Sequence, residues 1–231
     1  MIFSKLIKTN INKSSNDITR TDIINYLNKK YSYKTYLEIG VHNPKENFNK
    51  IKIKHKDGVD PKWKRNPKRG NKYEMKSDQF FKEIKENKKY DLIFIDGLHT
   101  YEQTKKDIKN SLKHLSEEGT IIIHDCNPKT EWHQRGIEDF HDGEEWNGTT
   151  WKAFIELRCT SPYLSMYTID AEGAFKNATS SSIDWKCYKF FKWYRKFLRS
   201  SNMQSACFKV YIYIKKVIFG SIFNLRYLRA A

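Results

Sequence analysis

Acidic and imidazole side chains in this chain stand where apolar runs stop, and their spacing narrows the chemistry they could do. Glu38 and Gly40 close the run that begins at Thr35, and Asp60 closes the run from His55. Asp78 lies just beyond a shorter run, Asn71 to Met75. Asp96 and His99 follow Leu92-Ile93-Phe94-Ile95, and His124-Asp125 follows Ile121-Ile122-Ile123. Asp60 comes 20 residues after Gly40, the spacing at which an acidic side chain receives the ribose hydroxyls of a nucleoside. A carboxylate suits that task because it accepts both hydroxyl hydrogens. The plain alternative is that Asp60-Pro61 turns the chain. Asp96 and Asp125 could share a hard cation such as Mg²⁺, which prefers oxygen ligands, with His124 beside them as a third ligand. His99 could instead take a proton from a substrate hydroxyl near neutrality, since an unperturbed imidazole titrates at about 6.5. A hydrogen-bonding role at a helix start is the other reading of His99.

These residues need elements that bring them to one rim. The pattern predicts strands near 35–39, 55–60, 71–75, 90–96 and 119–124. Tyr90 to Asp96 is the clearest, a nearly continuous apolar run of the kind buried on both faces. Between the strands lie helix signals. Ile23, Ile24 and Leu27 share one face of a helix from about Thr21 to Lys30. Ser77 can cap a helix holding Phe80, Phe81 and Ile84. Thr100 and Gln103 form a capping box for a helix with Ile108, Leu112 and Leu115 on one stripe, stopping before Gly119. A further helix is expected from about Thr150 to Arg158. Alternation of this kind implies right-handed crossovers and a parallel sheet, with ligands at the carboxyl ends of the strands. Tyr163 to Ile169 and Gly173 to Asn177 are expected to add an antiparallel hairpin at the sheet edge. Residues 126–148 form a polar loop long enough to be a lid or binding segment. Its His133, Asp139, His141, Asp142, Glu144 and Glu145 read as a solvated acidic surface, or as groups that touch substrate or metal.

Taken in order, Tyr36-Leu37-Glu38-Ile39-Gly40-Val41, Gly58-Val59-Asp60-Pro61, Ser77-Asp78, Asp91 to His99 and Gly119 to Asp125 resemble class I S-adenosylmethionine-dependent methyltransferases. The branch they look most like includes sugar and other small-molecule O-methyltransferases and the cephalosporin-hydroxylase-like proteins. The likeness runs from about Tyr36 to Asp125, and more loosely through Trp146-Asn147-Gly148 and Trp151-Lys152 to Phe175. It implies an α/β, Rossmann-like fold with a mostly parallel seven-stranded sheet and an antiparallel edge. It also implies S-adenosylmethionine as cofactor, with Glu38 and Gly40 beside the methionine part, Asp60 on the ribose and Asp78 at the adenine amino group. Asp96 is counted with both the cofactor-binding and the catalytic residues. In metal-dependent relatives an acidic pair follows the fifth strand; here its first member is His124. The loop after Gly40 also departs from the family, because Val41-His42-Asn43-Pro44 stands where further glycines are usual.

Composition bounds the rest. The 231 residues carry a formal net charge of +16, which favours anionic partners. From Trp185 onward there are eleven Lys and Arg and no Asp or Glu. Cys187, Phe190, Phe191, Trp193, Tyr194, Phe197 and Leu198 gather on one side of a helical wheel, with Lys189, Lys192, Arg195, Lys196 and Arg199 opposite. That is the pattern of an interfacial helix. Val210 to Leu225 is apolar but broken by Lys215 and Lys216, too charged for a spanning helix. The expected organisation is a lead-in and helix over 1–30, a methyltransferase core over 31–180 and a basic, aromatic helical tail over 181–231. The tail would meet an anionic membrane surface, with RNA, the core itself or a second copy of the chain as the alternatives. Four cysteines without CxxC spacing suit reduced thiols, and the first eight residues hold no stretch apolar enough for a signal peptide. A cytoplasmic protein is expected, peripheral at the inner face of a membrane. The function these readings support is O-methylation of a sugar or glycan-related hydroxyl. RNA methylation and a degenerate binding module are the alternatives. Against RNA, Asp96-Gly97-Leu98-His99 is not the Asp/Asn-Pro-Pro-Tyr signature of amino-group methyltransferases.

Overall fold

The computed structural model describes residues 18–128, 130–161, 164–167 and 221–224. Helix α1, Arg20–Tyr31, starts at Thr19, whose hydroxyl accepts from the Asp22 amide while the Asp22 carboxylate accepts from the Thr19 amide. It ends at Ser32 in the left-handed conformation, φ 57°. Strands β1 (Thr35–Ile39), β2 (His55–Val59), β3 (Asn71–Tyr73), β4 (Tyr90–Ile95) and β5 (Leu115–Ile123) form a parallel sheet in the order β3-β2-β1-β4-β5. Helices α2 (Ser77–Glu83), α3 (Tyr101–Lys113) and α4 (Thr150–Thr160) complete the described α/β core. The arrangement is Rossmann-like, and strand order reverses at β1, between β2 and β4. A crevice therefore opens at the carboxyl ends of β1 and β4.

The sheet is buried on both faces, which is why its strands read as apolar runs. Leu92 and Phe94 of β4 pack with Ile23, Ile24 and Leu27 of α1 and with Tyr36, Phe48 and Trp63. Ile93 and Ile95 point the other way, among Phe80, Ile108 and Phe154 from α2, α3 and α4. Burying one such side chain contributes about 1.5–3 kcal/mol, so each face of β4 alone anchors a helical layer.

Several local expectations change. Leu115 is not on α3: the helix ends at Lys113, and Leu115 opens β5 opposite Tyr90. Its burial is met by the sheet as well as it would be by a helix stripe. Gln103 does not complete a capping box. Its amide nitrogen donates to Ser77, Asp78 and Asp107, leaving Thr100 to cap the Gln103 amide alone. Ser77 is the first residue of α2 and not its cap, which is Lys76. At the β5 edge two short strands follow, β6 (Ser165–Tyr167) and β7 (Ser221–Asn224), with β7 antiparallel to both β5 and β6. Gly173 to Asn177, expected to pair with the first of these, lies outside the described residues. The pairing partner comes instead from the stretch read as a helical tail, whose described part, Ser221–Asn224, is a strand. A β5 edge left open would expose a row of unpaired backbone groups, and an antiparallel partner satisfies them.

Candidate active site

The loop after β1 is shaped by one glycine. Gly40 has φ 87°, and a Cβ there would overlap the carbonyl oxygen of Asp96. Only glycine permits this approach between the ends of β1 and β4. The amide of Gly40 donates to the Val59 carbonyl at 2.8 Å, and the Asp96 amide to the Ile39 carbonyl at 2.8 Å. Next, His42 sits at φ 45°, in the left-handed region that favours glycine. Its amide donates to Asp60 Oδ2 at 2.8 Å, and the Lys62 amide donates to Asp60 Oδ1 at 2.7 Å. The Asp60 carboxylate thus ties the loop after β1 to the turn after β2, which offsets the strain at His42.

Glu38 is 2% exposed. Its Oε2 accepts from the Tyr36 hydroxyl at 2.6 Å and from Asn47 Nδ2 at 3.0 Å. Burial pushes its pKa up to about 8, against the Tyr36 hydrogen bond and with help from the Asp96 charge.

Four residues from the ends of β4 and β5 converge beside it. Asp96 follows β4, and Arg20 Nη1 from α1 donates to its Oδ2 at 2.9 Å. His124 Nδ1 lies 3.1 Å from both Asp96 Oδ1 and Asp125 Oδ2. His99 Nε2 lies 3.4 Å from the same two oxygens. The backbone bond from the His124 amide to the Ile95 carbonyl, 2.9 Å, holds the two strand ends level. Asp125 adopts φ 54° and accepts from Asn147 Nδ2.

Electrostatics follow from this sharing. Burial disfavours the Asp96 charge, but His124, His99 and Arg20 outweigh it and hold the carboxyl well below the usual range. Burial also opposes charging of the two histidines. For His124 the Asp96 and Asp125 charges win, and its pKa lies well above the ordinary imidazole value. For His99 the Asp96 hydrogen bond and the Asp125 charge win, and its pKa is raised.

The loop after β5 closes over His99. His99 Nδ1 is 3.1 Å from the Trp146 carbonyl; a carbonyl only accepts, so Nδ1 carries the proton and Nε2 faces the carboxylates. The Trp146 ring stacks between His99 and Phe140, with ring centres 5.4 and 4.7 Å away. Its indole N–H donates to the Arg135 carbonyl at 2.9 Å. Gly148 has φ 57°, and a Cβ there would overlap the His99 carbonyl, which accepts from the Thr149 amide at 2.8 Å. Part of the charged loop that read as a solvated surface is paired internally: His133 with Glu145, and the buried Arg135 with Glu144.

Of the residues singled out by sequence, Asp96, His99, His124 and Asp125 meet in one cluster, with Glu38 electrostatically coupled to it. Asp60 holds its own loop together. Asp78 engages Gln103 and Lys106 at the start of α3. Arg20, Asn47 and Asn147 were not anticipated. Arg20 lies 76 positions from Asp96, and no local pattern signals such a pairing. Trp146 and Asn147 fell within the looser part of the family likeness, which could have flagged them.

Residues 29–126 match the model of a methyltransferase-domain family. That match gives the chain a methyltransferase domain over those residues. No curated protein matches it in sequence. Among solved structures it is similar in fold to an O-methyltransferase from Bacillus cereus in complex with S-adenosylhomocysteine. That likeness is at 14% identity over 71% of this chain and 80% of the other, with TM-score 0.46. The O-methyltransferase TomG from Streptomyces achromogenes, involved in tomaymycin synthesis, shares 8% identity over 73% and 81% of the two chains, TM-score 0.47. The Podospora anserina methyltransferase PaMTH1 shares 16% over 71% and 80%, TM-score 0.46.

In this protein the cluster makes stability depend on pH in a defined direction. Unfolded Asp and His titrate at about 3.9 and 6.5. Asp96 is depressed on folding, so its contribution is present above the unfolded value and lost as pH falls through the folded one. His99 and His124 are raised, so theirs is complete below the unfolded value and lost as pH rises through the folded ones. The cluster should therefore stabilise most between about pH 4 and 6.5. Thermal denaturation of the protein and its Asp96→Asn variant should show the widest Tm gap in that window, narrowing above it. A gap constant from pH 4 to 9 would mean that the histidines are not charged by Asp96.

Proposed function

We propose that this methyltransferase transfers a methyl group from S-adenosylmethionine to a hydroxyl oxygen of a sugar or other glycan-related acceptor, with His99 as the base. The observation that carries this reading is the placement of His99 at the strand ends. One ring nitrogen is anchored to the Trp146 carbonyl, and the other faces Asp96 and Asp125. The cofactor supplies an electrophilic methyl group on a sulfonium. The chain's residues fit it at the point where fit can be tested. Each oxygen of Asp60 receives a single backbone N–H, which leaves each a lone pair for a ribose hydroxyl. Glu38 and Gly40 would line the methionine part and Asp78 the adenine amino group.

His99 Nε2 would take the acceptor's hydroxyl proton as the oxygen forms its bond to the methyl carbon. Asp96 and Asp125 would hold the resulting imidazolium. Methyl transfer needs little beyond this and in-line placement. Because the two carboxylates raise the His99 pKa, the base limb of the pH–rate profile should lie above about 6.5.

A second reading rests on the ligand atoms of Asp96, His124 and Asp125, which lie within 4.8 Å of one another. These groups would hold a divalent cation such as Mg²⁺, although the imidazole nitrogen suits a transition ion better. Such an ion would lower the pKa of an acceptor hydroxyl.

The basic tail from Trp185 onward is proposed to bring the enzyme to an anionic membrane. Its eleven basic residues would each contribute about 1 kcal/mol near such a surface. Among the described residues no helix is long and apolar enough to cross a membrane.

Three measurements test these proposals. Asp60→Ala should weaken S-adenosylhomocysteine binding by roughly 1.5–3 kcal/mol per hydrogen bond lost to a charged acceptor. Unchanged affinity by calorimetry makes Asp60 a turn residue only. His99→Asn should lower turnover on the order of 10²–10⁴-fold, with wild-type activity surviving EDTA. Loss in chelator and return with the ion would favour the metal reading instead. Finally, the full chain should sediment with anionic vesicles more than with neutral ones. Charge reversal at Lys189, Lys192 and Lys196 should reduce that preference, and equal sedimentation would point to RNA, the core or a second copy as the tail's partner.

A further inference from the structure

A cavity of about 460 Å³ opens where the loop after β5 meets the first turn of α4, lined by Trp132, Gln134, Arg135, Asp139, Trp151 and Lys152. That volume falls in the range of small-ligand sites, ~300–1,000 Å³. None of these residues belongs to the His99–Asp96–Asp125–His124 group. They are joined to it through Trp146, which donates to the Arg135 carbonyl and stacks on His99.

Trp132 is the informative member. It is 56% exposed, a placement that forgoes the burial its ring would normally gain. It is nevertheless held in position. The guanidinium of Arg135 lies 4.2 Å from its ring centre, and Arg135 is itself 8% exposed. Arg135 Nε donates to the Asp139 carbonyl, Nη1 to the Trp132 and Glu145 carbonyls, and Nη2 to the Glu144 carboxylate. With those donors engaged, Arg135 serves as a fixed cationic platform beneath the ring. A preorganised ring contributes contact area at little entropic cost. Trp151 adds a second indole to the same cavity, while Gln134, Lys152, Asp139 and Glu131 supply hydrogen-bonding groups along it.

Two indoles set among carboxylates, an amide and an ammonium suit a ligand with a flat apolar C–H face and a rim of hydroxyls. A pyranose ring has that form. A flat phenolic acceptor would use the indoles but leave most of the polar rim to water, with none of its hydrogen bonds passed to the ligand. We infer that this cavity is a glycosyl subsite, holding a sugar unit next to the one that is methylated, so that the acceptor is at least a disaccharide. The inference rests on the methyltransferase reading of the His99 site and extends it to the acceptor's size.

The test is saturation-transfer NMR on the full chain with cellobiose, maltose, lactose and N,N′-diacetylchitobiose, with methyl glucoside and catechol as comparison probes. S-adenosylhomocysteine is titrated alongside. At least one disaccharide should receive saturation at its ring C–H protons, more strongly than methyl glucoside. Trp132→Ala should abolish that transfer, and Gln134→Leu should weaken it several-fold. Both variants should keep the wild-type affinity for S-adenosylhomocysteine, which also reports that they fold. Transfer to catechol alone, to none of the disaccharides, or unchanged in Trp132→Ala overturns the subsite. Failure of the wild-type chain to bind S-adenosylhomocysteine would instead overturn the methyltransferase reading. The two failures are therefore distinguishable.

Discussion

The Asp96 carboxylate is the charge around which this site is organised. It stands at the end of β4 with a side chain 14% exposed, and removing a carboxylate from water costs several kcal/mol unless partners compensate. The partners come from three separate parts of the chain: Arg20 at the start of α1, His124 after β5 and His99 before α3. Satisfying one carboxylate therefore pins helix α1 and two crossover connections to the same point. The histidines are shared with Asp125, so the second carboxylate is compensated by the same two cations. Breaking a buried arrangement of this kind by removing one member leaves the others uncompensated, which is more damaging than the loss of a single contact.

Close backbone approach is the companion constraint. Gly40 lets the end of β1 press against the carbonyl of Asp96, and this sets how near Glu38 lies to the cluster. His42, in the same loop, takes a left-handed conformation without being a glycine. The Asp60 carboxylate stabilises it through the His42 amide. One acidic residue thereby performs for the loop what glycine ordinarily does by having no side chain. That also means a substitution at Asp60 acts on loop geometry as well as on any ligand it receives.

The segment between β5 and α4 has a core of its own. Arg135 and Trp146 bond to each other's surroundings and to the turns on either side, so the segment is packed more like a small Ω-loop than an open surface. Its contact with His99 is both a stacking and a hydrogen-bonding one. The orientation of the imidazole is thus decided by residues nearly 50 positions away from it. The Trp132 cavity and the orientation of His99 are joined through one indole, that of Trp146.

Much of the sheet was legible from the chain alone. Runs such as Leu92 to Ile95 and Ile121 to Ile123 can be satisfied only by burial on both faces, and the polar residues that end them must then lie at one rim. The grouping of Asp96, His99, His124 and Asp125 follows from that argument. What sequence could not decide was partnership. Leu115 is buried either as a helix stripe or as a strand residue, and local pattern does not distinguish the two. The β5 edge takes its partner from Ser221–Asn224, and edge pairing is chosen by backbone groups that every residue shares. Arg20 reaches Asp96 because α1 packs on the β1–β4 face, a long-range consequence of apolar burial. Glu38 becomes a weak acid only because the fold buries it, against the hydrogen bonds from Tyr36 and Asn47. Residue type and spacing determined which groups would line the rim; the close approach of distant segments decided their charges, their proton positions and what each could touch.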